Sequence, residues 1–223
     1  MVKLQPDARA ERTLERKQQL LDAALELMGQ RGFANTSVED LARAAGLAKG
    51  TVYLYFPTKE ALLEALLASQ SLLPELESVA EGLTEETNVE DLIHLLIPTI
   101  WQALHQRKAT LSLFLRESIG KEEYGKLFLE KLMPPEDVLA EHLRSKVSET
   151  LKKAGQSDQS ERLSGLNLAI YLRCLVISMV GVYVEQELLG GKQLRPMPED
   201  ELLETLRHLF LRGIQLDEPT TTP

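Results

Sequence analysis

Apolar positions recur with helical spacing along almost the whole chain, and no run alternates convincingly at period two. Leu20, Ala24, Leu27 and Met28 fall on one stripe of a first helix over about residues 13–31, with Gly32 as its left-handed stop and Phe33 as an apolar anchor. Thr36-Ser37-Val38-Glu39 has the S/T-x-x-E form of a capping box. It opens a short second helix, SVEDLARAA, that buries Val38, Leu41, Ala42 and Ala45 and stops at Gly46. Pro57 follows so soon that a third helix has room only for about residues 48–55, too short to stand without the two before it. Pro57 pushes Phe56 out of helical geometry, Thr58 caps a fourth helix, KEALLEALLASQSLL, and Pro74 ends or kinks that helix.

Longer amphipathic segments follow at about 89–105, 108–119, 121–133, 136–153, 160–189 and 199–214. Pro98 predicts a kink in the first, Pro134-Pro135 a break before the fourth, GGKQLRPMP a loop between the last two and DEPTTTP a frayed tail. No internal repeat or long heptad pattern is visible. The run LNLAIYLRCLVISMVGVYV, residues 166–184, has nearly the length of a bilayer span, but Arg173 sits at its middle and Asn167, Ser178 and Gly181 interrupt it, so no membrane partner is expected.

Composition sharpens this helical picture. With 43% hydrophobic residues in 223, the chain can fill one large or two modest cores. The formal net charge of -9 argues against a uniformly basic surface, yet residues 1–60 hold nine Lys and Arg against eight Asp and Glu, a local balance of +1. A nucleic-acid face is therefore compatible with an acidic chain, because steering depends on where charge sits. The one cysteine, Cys174, rules out an intramolecular disulfide and a cysteine zinc site, and residues 1–19 lack the apolar core of a secretory signal. Both suit a cytoplasmic protein.

Two short helices joined by a glycine turn and braced by a preceding helix make a helix-turn-helix. In the third helix Val52 and Phe56 share the inward face, Gly50, Thr51 and Leu54 lie opposite, Tyr53 flanks them, and Tyr55 is ambiguous between core and surface. Gly50 costs a helix about 1 kcal/mol relative to alanine, which suggests close approach to another molecule. Lys59 stands at the positive end of the fourth helix, where a cation is disfavoured unless an anion meets it; Lys49 offers a second cation, and both tyrosines offer hydroxyls. Taken singly, each such residue serves as well as a turn former, a solvated charge or a half-buried ring.

Jointly, residues 14–67, above all TSVEDLARAAGLAKGTVYLYFPTKEALLEALL, resemble the DNA-binding domain of the TetR (tetracycline-repressor) family of bacterial transcription regulators. The resemblance implies an all-α fold: a helix-turn-helix domain over residues 1–60, its motif at 37–56, and a larger helical ligand-binding and dimerisation domain over 61–223. It implies a homodimer on a pseudo-palindromic double-stranded DNA operator, released by a small-molecule inducer, with no cofactor. By motif position it assigns DNA contacts to Lys49, Gly50, Thr51, Tyr53, Tyr55 and Lys59, with Thr36 and Ser37 near phosphate. Leu54 stands where polar or aromatic residues are more usual, and is expected to touch a thymine methyl.

The segment at 160–189 is apolar on nearly all sides, so it serves either as a central core helix or as a contact between subunits. The resemblance favours a four-helix interface of this and the last helix, through Leu163, Ile170, Val176, Leu203, Leu206 and Phe210. It also implies an inducer pocket within residues 89–184, for which large or polar-tipped residues are candidates: Trp101, Leu104, Phe114, Tyr124, Phe128, Tyr171, Arg173 and Tyr183. Arg173, taken as buried, would need an anionic or carbonyl partner. His94 and His105 are too far apart along one helix to share a metal, and no nucleophile, phosphate-loop or dinucleotide motif points to an enzyme. A transcriptional activator of the same fold and a non-catalytic helical interaction module are the rival readings.

Overall fold

The computed structural model describes residues 8–82, 84, 89–119, 121–132 and 168–215, and its regular elements are all helical. They are α1 Ala8–Arg31, α2 Val38–Ala44, α3 Lys49–Tyr55, α4 Lys59–Ser69, α5 Leu73–Glu81, α6 Val89–Gln106, α7 Lys108–Ser118, α8 Glu122–Leu132, α9 Leu168–Tyr183, a π-helical turn Val184–Leu188, α10 Gly191–Leu194 and α11 Glu199–Gln215. The expected helix at 136–153 and the start of the one at 160–189 lie outside the described residues. Among the described residues no helix is long and apolar enough to cross a membrane.

The helices form two compact units. In the first, α1 to α4 share one core with α7 and α8. The α1 stripe buries Leu20, Ala24 and Met28, α2 adds Leu41 and Ala42, α3 adds Val52, and α4 adds Leu62, Leu63, Leu66 and Leu67. Leu113 of α7 and Phe128 of α8 close it, so this unit extends beyond residue 60 and recruits helices from the middle of the chain. Local chemistry sets the boundaries. Gly32 takes φ +83° and Gly46 φ +66°, the left-handed values that end α1 and α2. Phe56 is extended before Pro57, and the Thr58 hydroxyl accepts from the Ala61 N–H at 3.0 Å to start α4.

Two boundary expectations are corrected. The capping box of α2 is one residue later than read: Ser37 is the N-cap, its hydroxyl accepting from the Asp40 N–H at 3.1 Å, while the Asp40 carboxylate accepts from the Ser37 N–H and hydroxyl. The reason is that Thr36 is turned inward, as described below. Pro74 does not end α4, which stops at Ser69; it occupies the first turn of α5, where its missing N–H costs nothing.

In the second unit α6 is the central strut, packed on α5, α9 and α11. It runs unbroken through Pro98 and buries Leu92, Ile93, Leu96, Ile97, Ile100, Ala103 and Leu104. Arg107, itself buried, ties the end of α6 to α5 through a salt bridge to Glu75 at 2.5 Å. The Tyr171 hydroxyl donates to the Phe210 carbonyl, joining α9 to α11. The connection between those helices is not the plain loop expected. After the π-helical turn, Gly190 at φ +84° leads into α10, and the buried Gln186 amide holds the following strand-like segment, accepting from the Met197 N–H at 3.0 Å and donating to the Arg195 carbonyl at 3.2 Å.

Candidate nucleic-acid interface

The short helices of the first unit present their two faces as the periodicity requires. Val52 and Phe56 are buried, whereas Tyr53 is 44% and Leu54 77% exposed. Gly50 is exposed and Thr51 half-exposed, and Tyr55 is half-buried against the core, which resolves its ambiguity toward packing. A Cβ added at Gly50 would meet no atom within 4 Å, so nothing in the free protein requires a glycine there.

Lys49 at the start of α3 pairs across the motif with Glu39 of α2, both exposed. The bond holds the Glu39 carboxyl below its ordinary value of 4.5 and pushes the Lys49 ammonium above 10.5. Asp40 is likewise depressed below 3.8, chiefly by the hydrogen bond from the Ser37 hydroxyl, and it also pairs with Arg43. In the sequence Glu39 reads only as a capping-box residue, and Asp40 and Arg43 carry no signal of a site. Their i, i+3 and cross-helix spacing was the available signal, but it identifies ion pairs only once the relative placement of α2 and α3 is fixed.

Two of the expected phosphate contacts have other partners. Thr36 is 1% exposed and its hydroxyl donates to the Gly32 carbonyl at 2.8 Å, so the side chain serves the turn. Lys59 is half-buried: Nζ donates to the carbonyls of Phe33 at 2.9 Å and Thr36 at 3.1 Å and sits 4.3 Å from the Phe33 ring centre. The cation at the head of α4 thus finds its partners internally, in two neutral carbonyl oxygens rather than an anion.

The inducer-pocket candidates separate. Phe114, Tyr124 and Phe128 belong to the core of the first unit, where Phe114 and Phe128 meet at a tilt with ring centres 5.0 Å apart and Tyr124 meets Phe33 edge-on at 5.5 Å. Arg173 is exposed, which removes the expected burial and with it the need for a buried anion. Trp101, Leu104 and Tyr183 are buried together in the second unit, with His105 edge-on to both rings. Trp101 Nε1 and the Tyr183 hydroxyl are buried without a hydrogen-bond partner. Burial, and secondarily Glu187, pushes the Tyr183 phenol up to about 12, so it remains a neutral donor. Tyr171 is tied to Phe210. A separate cleft of about 530 Å³ between α5 and α6, lined by Pro74, Glu75, Ser78, Val79, Gly82, Leu95 and Thr99, involves none of the expected residues.

Of the expected subunit contacts, Val176, Leu206 and Phe210 are buried within their own unit. Leu203 is half-buried, and Leu163 lies outside the described residues. Ile170 is 57% exposed and continues into an exposed stripe of α9 through Cys174, Ile177 and Gly181.

Known proteins place this geometry. Residues 20–66, which contain α2, α3 and most of α4, match the family described as bacterial regulatory proteins, tetR family. An uncharacterized HTH-type transcriptional regulator, YvkB of Bacillus subtilis (strain 168), is 24% identical over 89% of this chain and 96% of its own length. The fatty acid metabolism regulator protein of Bacillus subtilis (strain 168) is 31% identical over 45% of this chain, which spans about half (53%) of that relative. The solved structure of a TetR-family transcriptional regulator of Syntrophomonas wolfei str. Goettingen has the same fold, with a TM-score of 0.67 and 18% identity over 93% of this chain and 98% of that one. Residues 20–66 thus match the tetR family of bacterial regulatory proteins, and the chain shares its fold with a solved regulator of that family over nearly its full length.

Proposed function

We propose that this protein is a cytoplasmic transcriptional repressor that binds a pseudo-palindromic operator as a homodimer and lets go when a small molecule occupies its second unit. One observation carries the DNA-binding part: Gly50, Tyr53 and Leu54 face outward on α3 while Val52 and Phe56 of the same helix are locked into the core. A seven-residue helix held this way presents a rigid edge to a major groove. Lys49, Thr51, Tyr53 and Ser37 would hold phosphate, and Leu54 would rest on a thymine methyl. Tyr55 and Lys59 would act mainly by fixing the motif. Residues 1–60 would form the reading head and 61–223 would carry inducer recognition and dimerisation, with no catalytic step.

Selection of duplexes from a randomised pool tests this. Two half-sites about one helical turn apart are expected, with binding that weakens steeply as salt rises. Failure to retain any duplex in dilute buffer would instead make the chain a helical interaction module. Activation rather than repression would be read from the position of the recovered site relative to a promoter, and from the sign of reporter output.

A further inference from the structure

The backbone of Phe33 is gripped at both ends by charged side chains of two other helices. Its N–H donates to Glu117 Oε1 of α7 at 3.0 Å, and its carbonyl accepts from Lys59 Nζ of α4 at 2.9 Å. Its ring lies under that ammonium and against Tyr124 of α8. Glu117 is only 6% exposed, although a carboxylate avoids burial unless its oxygens are occupied. Its second oxygen faces Lys121 Nζ at 3.9 Å. The fit is close: a Cβ on Gly32 would fall 2.8 Å from Oε1, so the left-handed glycine that ends α1 also makes room for the carboxylate.

The clamped segment is the turn that aims the DNA-reading helices. Thr36 within it is tied to the Gly32 carbonyl through its hydroxyl and to Lys59 through its own carbonyl, and the next residue, Ser37, is the N-cap of α2. A turn fixed at Phe33 and Thr36 therefore fixes where α2 starts, and α2 packs on α3. In the sequence only Arg107 separates α6 from α7, the helix that carries the acid holding this turn.

Resting on the DNA-binding function proposed above, we propose that Glu117 is a positioning residue for DNA recognition, its carboxylate holding the α1–α2 turn so that α3 meets the bases in register. Glu117→Ala leaves a buried Phe33 N–H without an acceptor and lets the turn shift; Glu117→Gln keeps an acceptor oxygen there.

The test uses the full chain, a duplex selected by the wild type and a base-shuffled duplex of equal length, with helical content checked by circular dichroism. Folded Glu117→Ala is expected to bind the selected duplex about tenfold more weakly and the shuffled one within about threefold of wild type, since phosphate contacts tolerate a shift that base contacts do not. Glu117→Gln should restore selectivity to within about threefold of wild type. A folded alanine variant with undiminished selectivity, or a folded glutamine variant as unselective as alanine, overturns the assignment. Should the alanine variant not fold, Glu117→Asp decides, because withdrawing the carboxylate by one methylene must still cost selectivity. Wild-type protein that selects no duplex would instead sink the DNA-binding reading itself.

Discussion

A side chain at position 50 would project into open space, yet the chain keeps glycine in the first turn of a helix. That choice has a measurable signature. Gly50→Ala should stabilise the free protein by about 0.5–1 kcal/mol, because alanine forfeits less conformational entropy on entering a helix, while weakening binding to a selected duplex. Thermal melts and binding isotherms on the same preparation check it, and a variant that gains in both would show that no ligand approaches the backbone there. Lys59 teaches the complementary lesson. From the sequence it is a cation in the wrong place, and the inference that it needs negative partners is sound. The partners are carbonyls 26 and 23 residues away, which no local pattern identifies. Lys59→Met should therefore cost about 1–2 kcal/mol of stability in the absence of DNA, the value of charge-assisted bonds discounted for partial exposure. A melting curve superimposable on the wild type would refute that role.

Between elements, what could be read in advance follows one physical distinction. Helix ends set by their own residues were legible: Gly32, Gly46, Pro57 and Thr58 act within a few bonds of where they stand. Membership of a core was not. Phe114, Tyr124 and Phe128 look like candidates for an inducer pocket because they are large rings in apolar helices, but α7 and α8 return to pack on α1 and α4, and a return over many tens of residues leaves no periodic trace. The same holds for α2 and α3, whose ion pair depends on their mutual placement. Lys49 is held by Glu39 in the free protein, so DNA must displace a carboxylate to use it. Glu39→Gln should raise affinity for duplexes of any sequence by about two- to fivefold at low salt, with the gain shrinking as salt screens the lost repulsion. Because the Lys49 bond depresses the Glu39 carboxyl, this pairing is complete above about pH 4.5 and is lost only as pH falls through the lowered value. The gain should consequently be constant across neutral pH, and a steep change between pH 6 and 8 would point to another group.

For the molecule as a whole, α9 is the element whose surface is out of keeping with water. Ile170, Cys174, Ile177 and Gly181 recur at spacings of four, three and four along its exposed side, while Leu172, Leu175, Val176 and Met179 fill the core beneath. A helix apolar on both sides has two partners to satisfy. The sequence shows that requirement but not which residues meet it, because the buried Val176, Leu206 and Phe210 look the same as exposed apolar residues until the register of α9 against α6 and α11 is known. The exposed stripe makes a sharp prediction. Ile177→Glu places a charge at the centre of the exposed face and leaves the residues that pack internally untouched, so the chain should stay helical but sediment as a monomer. Losing the second reading head removes one half-site from the bound state, and binding to a selected palindromic duplex should fall by far more than tenfold, whereas binding to a single half-site should change by less than about threefold. Equal losses on both duplexes would mean that the substitution had damaged the head itself. An unchanged sedimentation coefficient would move the subunit contact to another surface.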